Sequence, residues 1–149
     1  MTDIKIVRVK NENGDMPPVP AKATDGSAGF DLCAFINESV SIMPGGLCKI
    51  FTGIKISLPE GYAGLIMGRS GLGTKHGIMP SNAVGLIDSD YRGELCVGLC
   101  NVSDKPYTIN PLDRIAQLVI VPVLDAFLSE AGVLDETDRG DAGFGSSGK

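Results

Sequence analysis

The chain has 149 residues, 43% hydrophobic but only 5% aromatic and without tryptophan, so one domain with a core of Val, Ile, Leu and Met is expected. A formal charge of −5 and a pI near 4.7 exclude a broad basic face that neutralises many nucleic-acid phosphates. The longest apolar stretch, 115–128, is interrupted by Gln117, Pro122 and Asp125, which excludes a helix of the roughly 20 apolar residues needed to cross a bilayer.

Residues 1–10 interleave charges with apolar side chains, so they lack the apolar region of a signal peptide and predict a first strand over 4–9. Ala28-Gly-Phe-Asp-Leu32 then sets an acid inside an apolar run. A buried carboxylate is costly unless it is paired or near a metal, which makes Asp31 a candidate for outer-sphere contact with Mg2+. A turn aspartate bonded to nearby backbone amides fits the same residues.

Period-two alternation predicts strands over 40–43, 47–58 and 62–67. Gly68-Arg-Ser-Gly-Leu-Gly-Thr-Lys-His-Gly77 follows as a glycine-rich loop with cations. A short helix is expected from Ser70, whose hydroxyl can cap it, toward His76. Freed backbone amides and a helix start make an anion cradle, although a tight structural loop explains the same glycines. A Walker A loop is excluded, because threonine separates Gly73 from Lys75.

The stretch from Gly85 to Leu95 places an acidic, aromatic-tipped turn between the apolar flanks 83–87 and 95–99. It predicts a β-hairpin with Asp88 at a strand end, where a rigid scaffold can offer a carboxylate to an open site. An ordinary solvated turn has the same composition. Further alternation predicts strands over 95–101 and 115–123. On the latter, Gln117 sits among apolar neighbours, and parity puts Arg114 and Gln117 on opposite faces. Gln117 is then free to meet a ligand oxygen while Arg114 makes a structural ion pair.

Cys33, Cys48, Cys96 and Cys100 lie in apolar runs, do not have zinc-site spacing and are expected to be reduced, which fits a cytoplasmic protein. After Asp125 the chain turns acidic, then glycine-rich, and cannot build a core. Phe144 has no use in a tail meant only to solvate. With Arg139 and the Ser146-Ser147 pair, it suggests a loop that orders over an anionic ligand with a flat ring. The expected fold is all-β, a jelly roll or barrel-like sandwich over 1–128 with one short helix, followed by a flexible arm over 129–149.

Taken in order, Ala28-Gly-Phe-Asp-Leu32, Gly68-Arg-Ser-Gly-Leu-Gly73, Asn82 with Gly85-Leu-Ile-Asp-Ser-Asp-Tyr91, Arg114-Ile-Ala-Gln117 and Arg139-Gly-Asp-Ala-Gly-Phe-Gly-Ser-Ser-Gly148 resemble the five motifs of the trimeric dUTPase family, bacterial or phage type. The resemblance runs from about residue 24 onward. It implies Mg2+-dependent hydrolysis of dUTP to dUMP and pyrophosphate, which keeps uracil out of DNA and supplies dUMP for dTMP synthesis. It implies that Asp88 activates the water attacking the α-phosphate and that Tyr91 packs under the deoxyribose. Asn82, with the backbone around Leu86, Ile87 and Cys96, would read uracil. Arg69, Ser70 and Gly71 would hold phosphates, Gln117 would lie near the α-phosphate, and Asp31 would bind waters of the Mg2+ shell.

By the same resemblance Arg139 would clamp the γ-phosphate, and Phe144 with Gly145 would cover the base as the arm closes. A jelly-roll homotrimer with shared active sites is implied, its arm crossing to a neighbouring subunit. Ala142 and Ser147 depart from the glycine and threonine that many members carry. A dCTP deaminase on the same fold is the nearest other enzyme, and a nucleotide-gated binding module the nearest non-enzyme.

Overall fold

The computed structural model describes residues 2–143. Ten strands and one helix follow in order: β1 (Lys5–Arg8), β2 (Phe30–Cys33), β3 (Val40–Ile42), β4 (Leu47–Ser57), β5 (Tyr62–Met67), α1 (Ser70–His76), β6 (Ile78–Pro80), β7 (Gly85–Ile87), β8 (Glu94–Asn101), β9 (Tyr107–Ile109) and β10 (Arg114–Pro122). They form two four-stranded sheets, ordered β1-β4-β8-β6 and β2-β10-β5-β7, with β3-β9 as a separate pair. Every ladder is antiparallel. The all-β, jelly-roll-like fold with one short helix is thus as expected.

One apolar core is shared by both sheets, with Leu32, Ile66 and Leu118 from one and Ile50, Ile54 and Val97 from the other. Strand β8 follows its alternation to the letter: Leu95, Val97, Leu99 and Asn101 point inward and are buried, while Cys96, Gly98 and Cys100 are only partly covered. Each such aliphatic side chain contributes about 1.5–3 kcal/mol by leaving water. Asn101 is tolerated in the core because its amide is fully used. It donates to the carbonyls of Ile42 (2.8 Å) and Lys105 (2.7 Å) and accepts from the Ser103 amide (2.9 Å) and hydroxyl (2.7 Å).

Two expectations change. The segments 83–87 and 95–99 do not form a hairpin, because β7 pairs with β5 in one sheet while β8 lies in the other. Both edges of β8 are already taken, by β4 and β6, so β7 has no edge there to join. The turn holding Asp88 therefore carries the chain from sheet to sheet. Nor does Ser70 cap α1: it is the first helical residue, and Arg69 holds the cap position with extended backbone and no side-chain cap bond. A residue already helical cannot bring its hydroxyl to the amides that an N-cap serves. The helix stops at Gly77, whose φ of +66° lets its amide bond back to the Gly73 carbonyl at 3.0 Å.

The loop into β10 holds an unusual residue. Leu112 has φ +66° behind Pro111, and the Asp113 amide donates to the Asn110 carbonyl at 3.1 Å. That is the pattern of a type II turn, whose third position favours glycine. Leu112 is more than half exposed, so it forfeits little packing if removed. Leu112→Gly is expected to raise unfolding stability by about 0.5–1 kcal/mol. Urea denaturation checks this, and a lowered midpoint would refute the strain.

Candidate active site

At one end of the β2-β10-β5-β7 sheet, Asp31 on β2 receives two guanidinium groups. Arg69, just before α1, approaches through Nε at 3.2 Å, and Arg114, at the start of β10, through Nη1 at 3.0 Å. Arg69 also donates from Nη1 to the Arg114 carbonyl at 3.1 Å. The three side chains are 19–52% exposed, so solvent screens the pairs and their net contribution to stability is small. Their effect is on geometry: Arg69 is held at the rim of a cleft with donors to spare.

Gln117 stands opposite Asp31 in the β2–β10 ladder. Its Nε2 donates to the Gly68 carbonyl at 2.9 Å, and a Cβ at Gly29 would come within 2.7 Å of its Oε1. Glycine at 29 thus leaves room for the carboxamide, and the Gly68 bond fixes its direction. Together with Arg69, Ser70, Gly71 and Asp31, Gln117 lines an open cleft of about 400 Å³. Lys75, a cation of the glycine-rich loop, and His76, to which the family resemblance gives no role, line the same cleft.

The predicted separation of Arg114 from Gln117 fails. A bulge between Arg114 and Ala116 inserts one residue, so Arg114 faces Cys33 and Gln117 faces Asp31, two positions of β2 that share a side. Ile115 and Ala116 are consecutively buried as a result. Two adjacent apolar residues ahead of an alternating run were the available signal. The ion pair expected of Arg114 is present, but it belongs to the cleft.

Asp88 follows the end of β7 and lines a different cleft, of about 460 Å³, with Ser89, Tyr62 and Asp125. The Tyr91 amide donates to the Asp88 carbonyl at 3.2 Å, closing a tight turn. The Tyr91 hydroxyl donates to the Glu94 carbonyl at 3.0 Å, and its ring lies where a side chain on Gly93 would overlap it. The ring is therefore pinned by the turn that presents it. Asn82 and Leu86 are exposed beside this turn, Ile87 packs against the core, and Cys96 faces Phe51 across β4–β8. One chain thus assembles the phosphate-type residues in one cleft and the Asp88 turn in another. Arg139 is exposed and folds back on its own turn, Nε to the Ala142 carbonyl at 2.8 Å. Phe144 and Gly145 lie outside the described residues.

The all-β sandwich thus carries an open cleft in which Asp31 pairs with Arg69 beside a glycine-rich turn. The family model for dUTPase matches residues 15–148. The chain belongs to the dUTPase family. It is 50% identical over 137 residues to the deoxyuridine 5'-triphosphate nucleotidohydrolase of Alcanivorax borkumensis, covering 91% of each chain. It is 53% identical over 133 residues to that of Coxiella burnetii, covering 89% of this chain and 88% of the relative. Among solved structures, the dUTPase of Staphylococcus bacteriophage 80alpha with dUpNHpp superposes with a TM-score of 0.86 at 28% identity and 100% coverage of both chains. A mutant dUTPase of phage phi11 of S. aureus, whose structure describes a coordinated structural Mg(II) ion, has a TM-score of 0.75 at 28% identity and covers 89% of this chain and 98% of its own.

For a divalent cation the donor set is informative. Among the described residues no three metal-ligating side chains converge, and each Asp31 oxygen already accepts from a guanidinium. A carboxylate offers about four lone-pair sites, so acceptors remain for water. The cleft fits a hydrated ion carried by a phosphate ligand rather than one caged by the protein.

Cys33 shares this neighbourhood. Burial pushes its thiol pKa up, and the Asp31 carboxylate adds to that against smaller opposite pulls from Arg114 and Arg69. Burial also raises the Cys48 thiol. Folding thus favours the neutral thiols: that stability is complete below about pH 8.5 and is lost as pH rises through the folded values. The denaturation midpoint is expected to fall above about pH 8.5, and to fall less in Cys33→Ser. A wild type and variant with identical alkaline profiles would contradict this.

Proposed function

We propose that this protein is a dUTP diphosphatase that releases dUMP and pyrophosphate by attack of water on the α-phosphorus. A new P–O bond forms from water while the bond from the α-phosphorus to the bridging oxygen breaks, and pyrophosphate leaves with that electron pair. The observation that carries the reading is the convergence, in one cleft, of Asp31, Arg69, Ser70, Gly71 and Gln117, which come from three separate motifs of the family. Mg2+ bound to the triphosphate would neutralise charge there, with Asp31 holding waters of its shell.

The remaining roles follow the family resemblance and the local chemistry. Asp88 orients the attacking water and takes its proton, a task that needs position more than basicity. Tyr91, held by Glu94, presents a ring edge against which a ribose 2'-hydroxyl would collide. Asn82 and the backbone around Leu86, Ile87 and Cys96 read the base. Arg139, Phe144 and Gly145 would close over the bound nucleotide and exclude water. The cytoplasm, where free nucleotides are made and used, is the proposed location, and four free cysteines agree with it.

Homotrimer formation with shared active sites is part of the proposal. Asp88 and Arg69 line different clefts of one chain, which supports a site that combines residues of two copies. The arm supports this as well, since Leu124, Phe127 and Leu128 are about nine-tenths exposed or more among the described residues.

Chromatography of the purified protein with Mg2+ and dUTP is expected to yield dUMP and pyrophosphate, with no ammonia from dCTP and little turnover of UTP or dTTP. Asp88→Asn should lower kcat by about 10²–10⁴-fold without altering the fold. Undiminished turnover in that variant would remove Asp88 from the reaction. Sharing of sites is tested by co-refolding inactive Asp88→Asn with inactive Arg69→Ala. Activity should reappear in the mixture, because some sites then receive an intact half from each partner. A mixture as inactive as its parents would place each site within one chain.

A further inference from the structure

Among the described residues only two non-glycine residues have positive φ, Leu112 and Ala83. Leu112 belongs to the type II turn already described. Ala83, at φ +63°, has no such explanation. Its amide donates to the Pro80 carbonyl at 3.1 Å, and the next amide, of Val84, reaches back over it to the Asn82 carbonyl at 2.7 Å. A bond from residue i+2 to i across a positive-φ centre is the rare and strained form of γ-turn. Strain of this kind persists only where the surroundings fix the chain, and it concentrates at ligand clamps.

Here the surroundings do fix it. Four residues, 81–84, join β6 in one sheet to β7 in the other. On the near side the Ser81 amide is bonded to the Gly98 carbonyl of β8 at 2.9 Å, and the Ser81 hydroxyl sits 2.7 Å from where a Gly98 Cβ would be. On the far side Gly85 is held in register with Ile66 of β5. Between these anchors the Asn82 side chain folds toward Gly85, its Nδ2 only 3.7 Å from the position of a Cβ there.

We propose that Ala83 is a positioning residue whose left-handed backbone aims the Asn82 carboxamide, and thereby sets discrimination between uracil and cytosine. This rests on the dUTP reading above. The chemistry requires such aiming: uracil presents an N–H donor at N3 beside carbonyl acceptors, whereas cytosine presents an acceptor at N3 beside an amino donor. A carboxamide carries both a donor and an acceptor, so it selects between the two only if its rotation and position are held. The Ala83 side chain itself is exposed and need touch nothing.

The test compares Ala83→Gly, which frees the turn, with Ala83→Asn, which tolerates the left-handed region and keeps it. Thermal unfolding, calorimetric binding of dUMP, and kcat and KM for dUTP and dCTP are measured for both and for wild type. For Ala83→Gly the melting temperature should be unchanged or higher, while KM for dUTP and Kd for dUMP rise by about tenfold and kcat stays within about twofold. The preference for dUTP over dCTP should fall with it, and Ala83→Asn should keep wild-type values. Wild-type affinity and preference in Ala83→Gly overturn the inference, as do equal losses in both variants or a lower melting temperature in Ala83→Gly. A wild type that neither binds dUMP nor hydrolyses dUTP overturns the functional reading itself, which is a different result.

Discussion

The Asp31 carboxylate is the fixed point of the site. Taken alone, a partly buried aspartate on an apolar strand is an electrostatic cost. Here two guanidiniums from separate parts of the chain offset it, one from the junction of β5 with α1 and one from the bulged start of β10. The bulge is what makes this work. With the register of Gln117 against Asp31 kept, an unbulged strand would turn Arg114 to the far side of the sheet, away from the acid. A single inserted residue thus joins three motifs in one cleft.

A second constraint acts between the sheets. Since β8 is paired on both edges, the chain leaving β7 must cross to reach it, and the crossing segment carries Asp88 and Tyr91 away from the Asp31 cleft. The turn is built for rigidity all the same. Its backbone closes from Tyr91 to Asp88, Arg92 bonds the carbonyls of Ser89 and Tyr91, and the phenol hydroxyl is tied to Glu94. Pre-set geometry of this kind is what positional catalysis requires.

Much of this could be read in advance, and the failures have physical causes. Strands β4, β5, β8 and β10 are long enough for period-two alternation to register, and each was found within a residue or so of its bounds. Strands β6 and β9 have three residues each and no flanking alternation of the kind that marks β3 within 40–43, so the sequence does not reveal them. The hairpin was misread because local pattern cannot reveal which edge of a strand is already occupied. Parity failed at Arg114 because it assumes unbroken pleating, although the adjacent Ile115 and Ala116 marked the break. The residue types of the cleft were legible, but the partnership of Asp31 with both arginines is a property of register and became visible only with the ladder.

Charge explains how an acidic chain can hold a polyanion at all. The arm is the acidic part: Asp125, Glu130, Asp135, Glu136, Asp138 and Asp141 all lie between 123 and 143, with Arg139 as the only base there. The sandwich that precedes it is close to neutral, and its cleft gathers Arg69, Lys75 and His76 with Asp31 already neutralised by Arg114. Attraction for a triphosphate is therefore local to the cleft. An arm of that charge cannot approach such a ligand through bulk electrostatics. In the proposed function its closure depends on Arg139, and on the charge that Mg2+ would remove from the phosphates.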